Sequence, residues 1–179
     1  MNPKFIKFNA FGYEALAIYD YNETIKKLIY VFKGCYDYEL KDVFLNRFIN
    51  YLKVRFQGYI VIPIPSHKID DEKRGFNHVY EIVKTLGLPI EKILIKKKNI
   101  KQSSLTYKDR LKYTNNFELK PNINIKNKKV LIVDDVFTSG STIYHALSLV
   151  KMLSPKTIKI LVVSKTIDLD KRNKNDNIC

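Results

Sequence analysis

The sequence predicts an α/β protein in which a mostly parallel central sheet is flanked by helices and preceded by a short hairpin. Three observations carry this expectation. The runs YIVIPIP (59–65), KVLIVD (129–134) and IKILVV (158–163) are apolar and rich in β-branched residues, as expected of strands covered on both faces. Segments with apolar residues at helical spacing separate these runs, which suits strands joined by right-handed crossovers. At the N-terminus, KFIKFNA and YEALAIY alternate around Phe11-Gly12 and fit an antiparallel pair.

The elements follow in order. From Asn22, the spacing of Ile25, Leu28, Ile29 and Phe32 before Gly34 predicts one helix, and Leu40, Phe44, Leu45, Phe48 and Leu52 before Gly58 predict a second. The run 59–65 is a strand stopped by Pro63 and Pro65. Gly75 is expected to open a helix through Phe76, Val79, Tyr80, Val83 and Leu86 that Gly87 and Pro89 close. KILI (92–95) suits a short strand, and the polar, weakly periodic stretch 96–116 is expected to be a mobile or partly helical insertion. After the strand at 129–134, residues 141–153 read as a helix with Ile143, Leu147, Val150 and Leu153 on one face. Beyond the strand at 158–163, LDKRNKNDNIC is expected to be frayed.

Composition narrows the function classes. The chain has 179 residues, 45% of them hydrophobic and 12% aromatic, which suits one ordered domain with a packed core. No apolar run approaches the roughly 18 residues that cross a bilayer, and no secretory signal pattern opens the chain, so a cytoplasmic protein without membrane insertion is expected. Only Cys35 and Cys179 are present, too few for a four-ligand zinc site or a disulfide framework. His67, His78 and His145 include no pair at metal spacing, so no metal ion is expected to be held directly by the protein. The net charge of +14 has two readings. It invites a polyanion through counterion release, and the abundance of Lys, Asn, Ile and Tyr is equally what an AT-rich genome would produce.

The densest chemistry lies in VLIVDDVFTSGST (130–142). Ligands of open parallel sheets bind beyond the carboxyl ends of the strands, where Asp134 and Asp135 are expected to meet a loop. Paired carboxylates near a core are costly unless a cation or hydroxyl donors satisfy them. Thr138, Ser139, Gly140, Ser141 and Thr142 offer the opposite chemistry: free amides, hydroxyls and one glycine at the positive end of a helix, a seat for phosphate. An ordinary turn with a helix cap is the alternative, but it would not require buried strand, paired acids and cradle in register. The combination suits a phosphorylated sugar. Neither G-x-x-x-x-G-K-[ST] nor G-x-G-x-x-G occurs.

This segment closely resembles the phosphoribosyl pyrophosphate (PRPP) signature of type I phosphoribosyltransferases. VIPIPSHKIDDEKRGFNH, KQSSLTYKDR followed by NF, and IKKLIYVFKG resemble the corresponding segments of the competence protein F (ComF) family within that superfamily. The resemblance implies a type I phosphoribosyltransferase fold over 1–179, with an N-terminal hood and helices at about 1–57, a PRPP-binding core at 58–165 and a tail at 166–179. It implies that Asp134 and Asp135 hold the ribose hydroxyls and serve catalysis, that residues 138–142 bind the 5′-phosphate, and that Mg²⁺ accompanies PRPP. Pro65, Ser66, His67, Lys68 and Arg74 would receive the pyrophosphate, Arg74 as a bidentate clamp, its alternative being a plain surface charge at a helix start. Lys33 and Arg110 match family positions but are equally ordinary solvated charges. His67 is either a phosphate donor or idle, and His145 is expected to be structural. His78 stands where the family usually has Gln, Tyr113 where Asn is common, SPK replaces a more usual Gly-Ala, and the family's N-terminal cysteine-rich zinc finger has no counterpart.

Two functions follow from the resemblance. One is a Mg²⁺-dependent phosphoribosyltransferase passing the pentosyl group to an unidentified acceptor. The other is a non-catalytic PRPP-sensing module that handles single-stranded DNA, with a competence helicase as a further partner. A PRPP-sensing transcriptional regulator is a weaker third, since no helix-turn-helix pattern is present.

Overall fold

Strands β1 (Ile6–Ala10) and β2 (Tyr13–Asp20) form the expected hairpin in the computed structural model, which describes residues 5–96 and 117–166. Its two turn residues, Phe11 (φ 55°) and Gly12 (φ 90°), are both left-handed, and the Gly12 amide donates to the Asn9 side chain at 2.8 Å. Such a turn matches the right-handed twist of the flanking strands.

Helix α1 (Glu23–Gly34) starts where the Asn22 side chain accepts from the Ile25 amide, and it buries Ile25, Ile29 and Phe32. The second expected helix is broken. Two 3₁₀ turns, Tyr38–Asp42 and Asn46–Phe48, precede a short α2 (Ile49–Arg55). Phe44 and Leu45, each 1% exposed, lie in the break between the two turns.

Strands β3 (Tyr59–Pro63), β6 (Lys129–Phe137) and β7 (Thr157–Lys165) complete a five-stranded sheet of order β1-β2-β7-β6-β3, parallel except for the first hairpin. This is the α/β class expected from the sequence. Strands β4 (Leu94–Lys96) and β5 (Phe117–Leu119) make a separate antiparallel pair. Alternation along β6 divides the core. Val130 and Ile132 pack with Ile143, Ala146, Leu147 and Val150 of α5 (Ser141–Met152), whereas Leu131 and Val133 meet residues of α1, α2 and α4 (His78–Lys84).

Two further corrections concern the region between β3 and α4. Between the strand at 59–65 and the helix expected from Gly75 lies a further helix, α3 (Lys68–Arg74), and Gly75 closes it in a left-handed conformation (φ 82°) instead of opening the next one. Asn77 caps α4, accepting from the Tyr80 amide at 2.8 Å. Arg74 therefore lies in the last turn of a helix, where the dipole favours a cation, and not at a helix start. The expected insertion, including Arg110 and Tyr113, and the tail with Cys179 lie outside the described residues apart from Lys96 and Thr166. Among the described residues, no helix is long and apolar enough to cross a membrane.

Candidate functional site

A cavity of about 610 Å³ opens beyond the carboxyl ends of β3 and β6. Asp134 and Asp135, Thr138 and Thr142, and Pro65, Ser66, His67 and Arg74 all line it. The fold thus gathers candidates from three chain segments into one cleft. Lys68 does not join them. Its amine, on a largely exposed side chain, sits 3.5 Å from Glu72, and the residue borders a neighbouring hollow shared with Glu72 and Phe76. Ser139 and Ser141 are exposed at the rim, and Gly140 is buried behind it.

The cradle is shaped by Gly140. Its φ of 76° turns the chain into α5, and its carbonyl accepts the first helical hydrogen bond from Tyr144 at 2.8 Å. A Cβ there would fall 2.6 Å from the Phe137 ring and 3.0 Å from the Phe11 ring. Glycine is required on both counts. The Ser139 hydroxyl accepts from the Ser141 amide at 3.4 Å, and the amides of the first turn of α5 face outward at the positive end of the helix.

Strand β6 runs to Phe137, beyond the end at Asp134 expected from the sequence, so both aspartates lie within the strand. The pleat turns their side chains to opposite faces, with Asp135 on the side of α1 and α4. Both are nearly buried, at 7% and 8% exposure, so each needs partners. Asp134 accepts from the Asp135 amide at 2.9 Å, and Asp135 accepts from the Val136 amide at 2.7 Å. Burial, and after it the charge of Asp135, push the Asp134 carboxyl well above its usual range. Burial acts on Asp135 in the same direction, but the His78 hydrogen bond and the Lys33 ammonium outweigh it and hold that carboxyl far below the usual range.

Those two partners come from distant segments. Lys33, in the last turn of α1, places Nζ 2.9 Å from Asp135 Oδ2. His78, the first residue of α4 and 9% exposed, places Nε2 3.1 Å from the same oxygen. The other ring nitrogen, Nδ1, lies 3.0 Å from Arg74 Nη1 and 3.1 Å from Ser66 Oγ. Arg74 also donates from Nε to the Lys33 carbonyl at 2.9 Å and from Nη1 toward Asp71 at 3.4 Å. His78 is the residue that sequence reasoning set aside because it departs from the family's Gln, yet it sits at the centre of the site. Its sequence signal was the position directly after the Asn77 helix cap, four residues beyond Arg74. His145 does not line the cleft. It is half-buried on α5, and burial lowers the pKa of its ring.

The two aspartates fit a divalent cation that arrives bound to a phosphorylated ligand. Among the described residues no cluster of three or more His, Cys, Asp or Glu side chains could hold a metal ion, and Asp135 Oδ2 already has two partners. Mg²⁺ is commonly bound through substrate phosphates with few protein ligands, so this donor set fits it in that form.

Comparison with known proteins gives the arrangement a context. Residues 72–178, more than half of the chain, match the family described as the phosphoribosyl transferase domain. The chain is 29% identical over 132 residues to competence protein ComFC of Bacillus subtilis, covering 73% of this chain and 55% of that protein. It is 30% identical over 148 residues to ComFC of Streptococcus pneumoniae, covering 83% of this chain and 66% of that one. The chain therefore spans about half to two thirds of the length of these relatives. Among solved structures, an adenine phosphoribosyltransferase aligns over 77% of this chain and 76% of its own at 18% identity, with a TM-score of 0.49.

Proposed function

The chain belongs to the phosphoribosyl transferase domain family, and from that premise we propose that it is a ComF-like protein that binds PRPP with Mg²⁺ and displaces pyrophosphate from it. The observation that carries this reading is the single cavity shared by the two aspartates, the Thr138 and Thr142 cradle and the Pro65–His67 loop. The outward amides and hydroxyls of 138–142 seat the 5′-phosphate. Asp134 and Asp135 accept hydrogen bonds from the ribose hydroxyls. Ser66, His67 and the amides around them receive the diphosphate, with Lys33 and Arg74 supplying positive charge nearby. Bound with the ligand, Mg²⁺ would neutralise diphosphate charge and ease its departure. Asp134, whose burial raises its proton affinity, is the better of the two acids to take a proton from the incoming nucleophile. PRPP is too highly charged to cross a bilayer unaided, so the reading also places the protein in the cytoplasm.

Calorimetric titration with PRPP, with and without Mg²⁺, tests the proposal. Wild-type protein is expected to bind only with Mg²⁺, and the Asp134→Asn, Asp135→Asn double variant to show no measurable binding. Equal affinity in the double variant would remove the ribose-holding role.

A second reading has its own observation. Lys126, Lys128, Lys129 and Lys156 are exposed at the amino ends of β6 and β7, away from the cleft, and Lys156 donates its amide to the Lys128 carbonyl. With the net charge of +14, this suits a PRPP-sensing module that also handles single-stranded DNA. Anisotropy with a labelled oligonucleotide should show binding that weakens steeply between about 50 and 200 mM salt and falls when these four lysines become alanine. Absence of binding at the low-salt end would eliminate it.

A further inference from the structure

We propose that His78 is a positioning residue that joins the two halves of the cleft, taking hydrogen bonds from the diphosphate-side segment through Nδ1 and giving one to Asp135 through Nε2. The inference rests on the PRPP reading above. It starts from which atoms can donate. Arg74 Nη1 can only donate, so at 3.0 Å from Nδ1 it requires a lone pair on that nitrogen. The ring proton must then be on Nε2, where it points to Asp135 Oδ2 at 3.1 Å.

The neighbouring contacts run the same way. Asn77 Nδ2 donates to Ser66 Oγ at 3.3 Å, leaving the Ser66 hydroxyl proton for Nδ1 at 3.1 Å. Asn77 Nδ2 also donates to Asp71 Oδ2 at 3.0 Å, and Asp71 Oδ1 faces Arg74 Nη1. From α1, Lys33 shares the Asp135 oxygen and the Phe32 ring stands 6.5 Å from the imidazole. The donors at Nδ1 and the ring's own proton at Nε2 therefore run in one direction, toward Asp135. A proton on Nδ1 would face the guanidinium head-on and reverse the chain.

The consequence concerns the ribose side. Asp135 Oδ1 is held by the Val136 amide and Oδ2 by Lys33 and His78, so the carboxylate plane is fixed from both ends. Lys33 is on a half-exposed side chain and is free to turn toward an arriving diphosphate, whereas His78 is buried and held by Ser66 and Arg74. His78 thus keeps Asp135 oriented while the diphosphate draws on Lys33. Glutamine has the same polarity, since its carbonyl accepts and its amide donates. Glutamine can therefore meet the same hydrogen-bonding requirement as this histidine, and leucine cannot.

The experiment combines NMR of the His78 ring nitrogens in the full chain with PRPP·Mg²⁺ titration of wild-type protein, His78→Gln and His78→Leu. The neutral Nε2–H tautomer is expected, with His78→Gln binding within about threefold of wild type and His78→Leu weaker by about tenfold or more. Thermal melts establish that both variants are folded. A proton on Nδ1, His78→Leu binding like wild type, or His78→Gln losing as much as His78→Leu would each overturn the inference. If wild-type protein itself fails to bind PRPP, the underlying reading falls and takes this role with it. That result is distinct because the wild-type protein itself then shows no binding.

Discussion

Replacing Gly140 by alanine is expected to lower Tm by about 4–8 °C and to weaken PRPP binding at least about tenfold. Two costs combine. At φ 76°, any residue with a Cβ pays roughly 1–2 kcal/mol. The new methyl would also meet the Phe137 ring at 2.6 Å and the Phe11 ring at 3.0 Å. Phe137 is itself braced by Phe8 at 4.9 Å, so its ring cannot withdraw without disturbing a neighbour, whereas the exposed Phe11 can turn toward solvent. A total near 2 kcal/mol corresponds to the stated shift for a chain of this size. The binding loss follows because the same residue aims the amides at the start of α5, and turning the peptide misaligns them. Adding Phe137→Leu to the variant should recover part of the Tm, since it removes the steric cost and leaves the backbone cost. A Gly140→Ala protein whose Tm lies within about 1 °C of wild type would contradict the packing argument.

The sequence made the central elements legible because their signals are local. The run into Asp134-Asp135, the small-residue loop and the helix after it all lie within 130–152, and the N-terminal hairpin announced itself through alternation around Phe11-Gly12. The errors have physical causes of the opposite kind. Helix α3 contains no buried residue, so it carries no apolar period, and its glycine cap was assigned to the following helix. Phe44 and Leu45 carry a helical apolar period and are buried, yet they lie between two 3₁₀ turns, so the period marks burial there and not a continuous helix. The least legible feature was the set of contacts around Asp135. Lys33 meets it across 102 positions, His78 across 57, and Arg74 reaches the Lys33 carbonyl across 41. Separations of that size leave no pattern in a single chain. Arg74 was expected at the diphosphate and Lys33 either in the site or as a solvated charge, but their links to His78 and Asp135 arise only where α1, α3 and α4 converge on β6.

Arg74→Lys is expected to cost about 3 kcal/mol of stability, nearly as much as Arg74→Ala, with a Tm drop of about 6–12 °C. The side chain is only 8% exposed, and its guanidinium serves three acceptors on three helices: the Lys33 carbonyl at the end of α1, Asp71 within α3, and His78 Nδ1 at the start of α4. A planar fork can meet Nε and Nη1 partners at once, whereas a lysine has one nitrogen on a flexible stem and must abandon at least one buried acceptor. If the amine keeps another contact, the Lys33 carbonyl loses its Arg74 donor and His78 Nδ1 is left with its Ser66 partner alone, and both groups belong to residues that hold Asp135. PRPP affinity should therefore fall together with stability in Arg74→Lys. The competing explanation is that Arg74 matters only as a positive charge in the last turn of α3, worth about 0.3–1 kcal/mol through the helix dipole. Under that explanation lysine would serve as well as arginine and only alanine would be destabilised. Melting curves for the two variants side by side separate the cases, because a shared charge predicts that they differ and a required fork predicts that they agree.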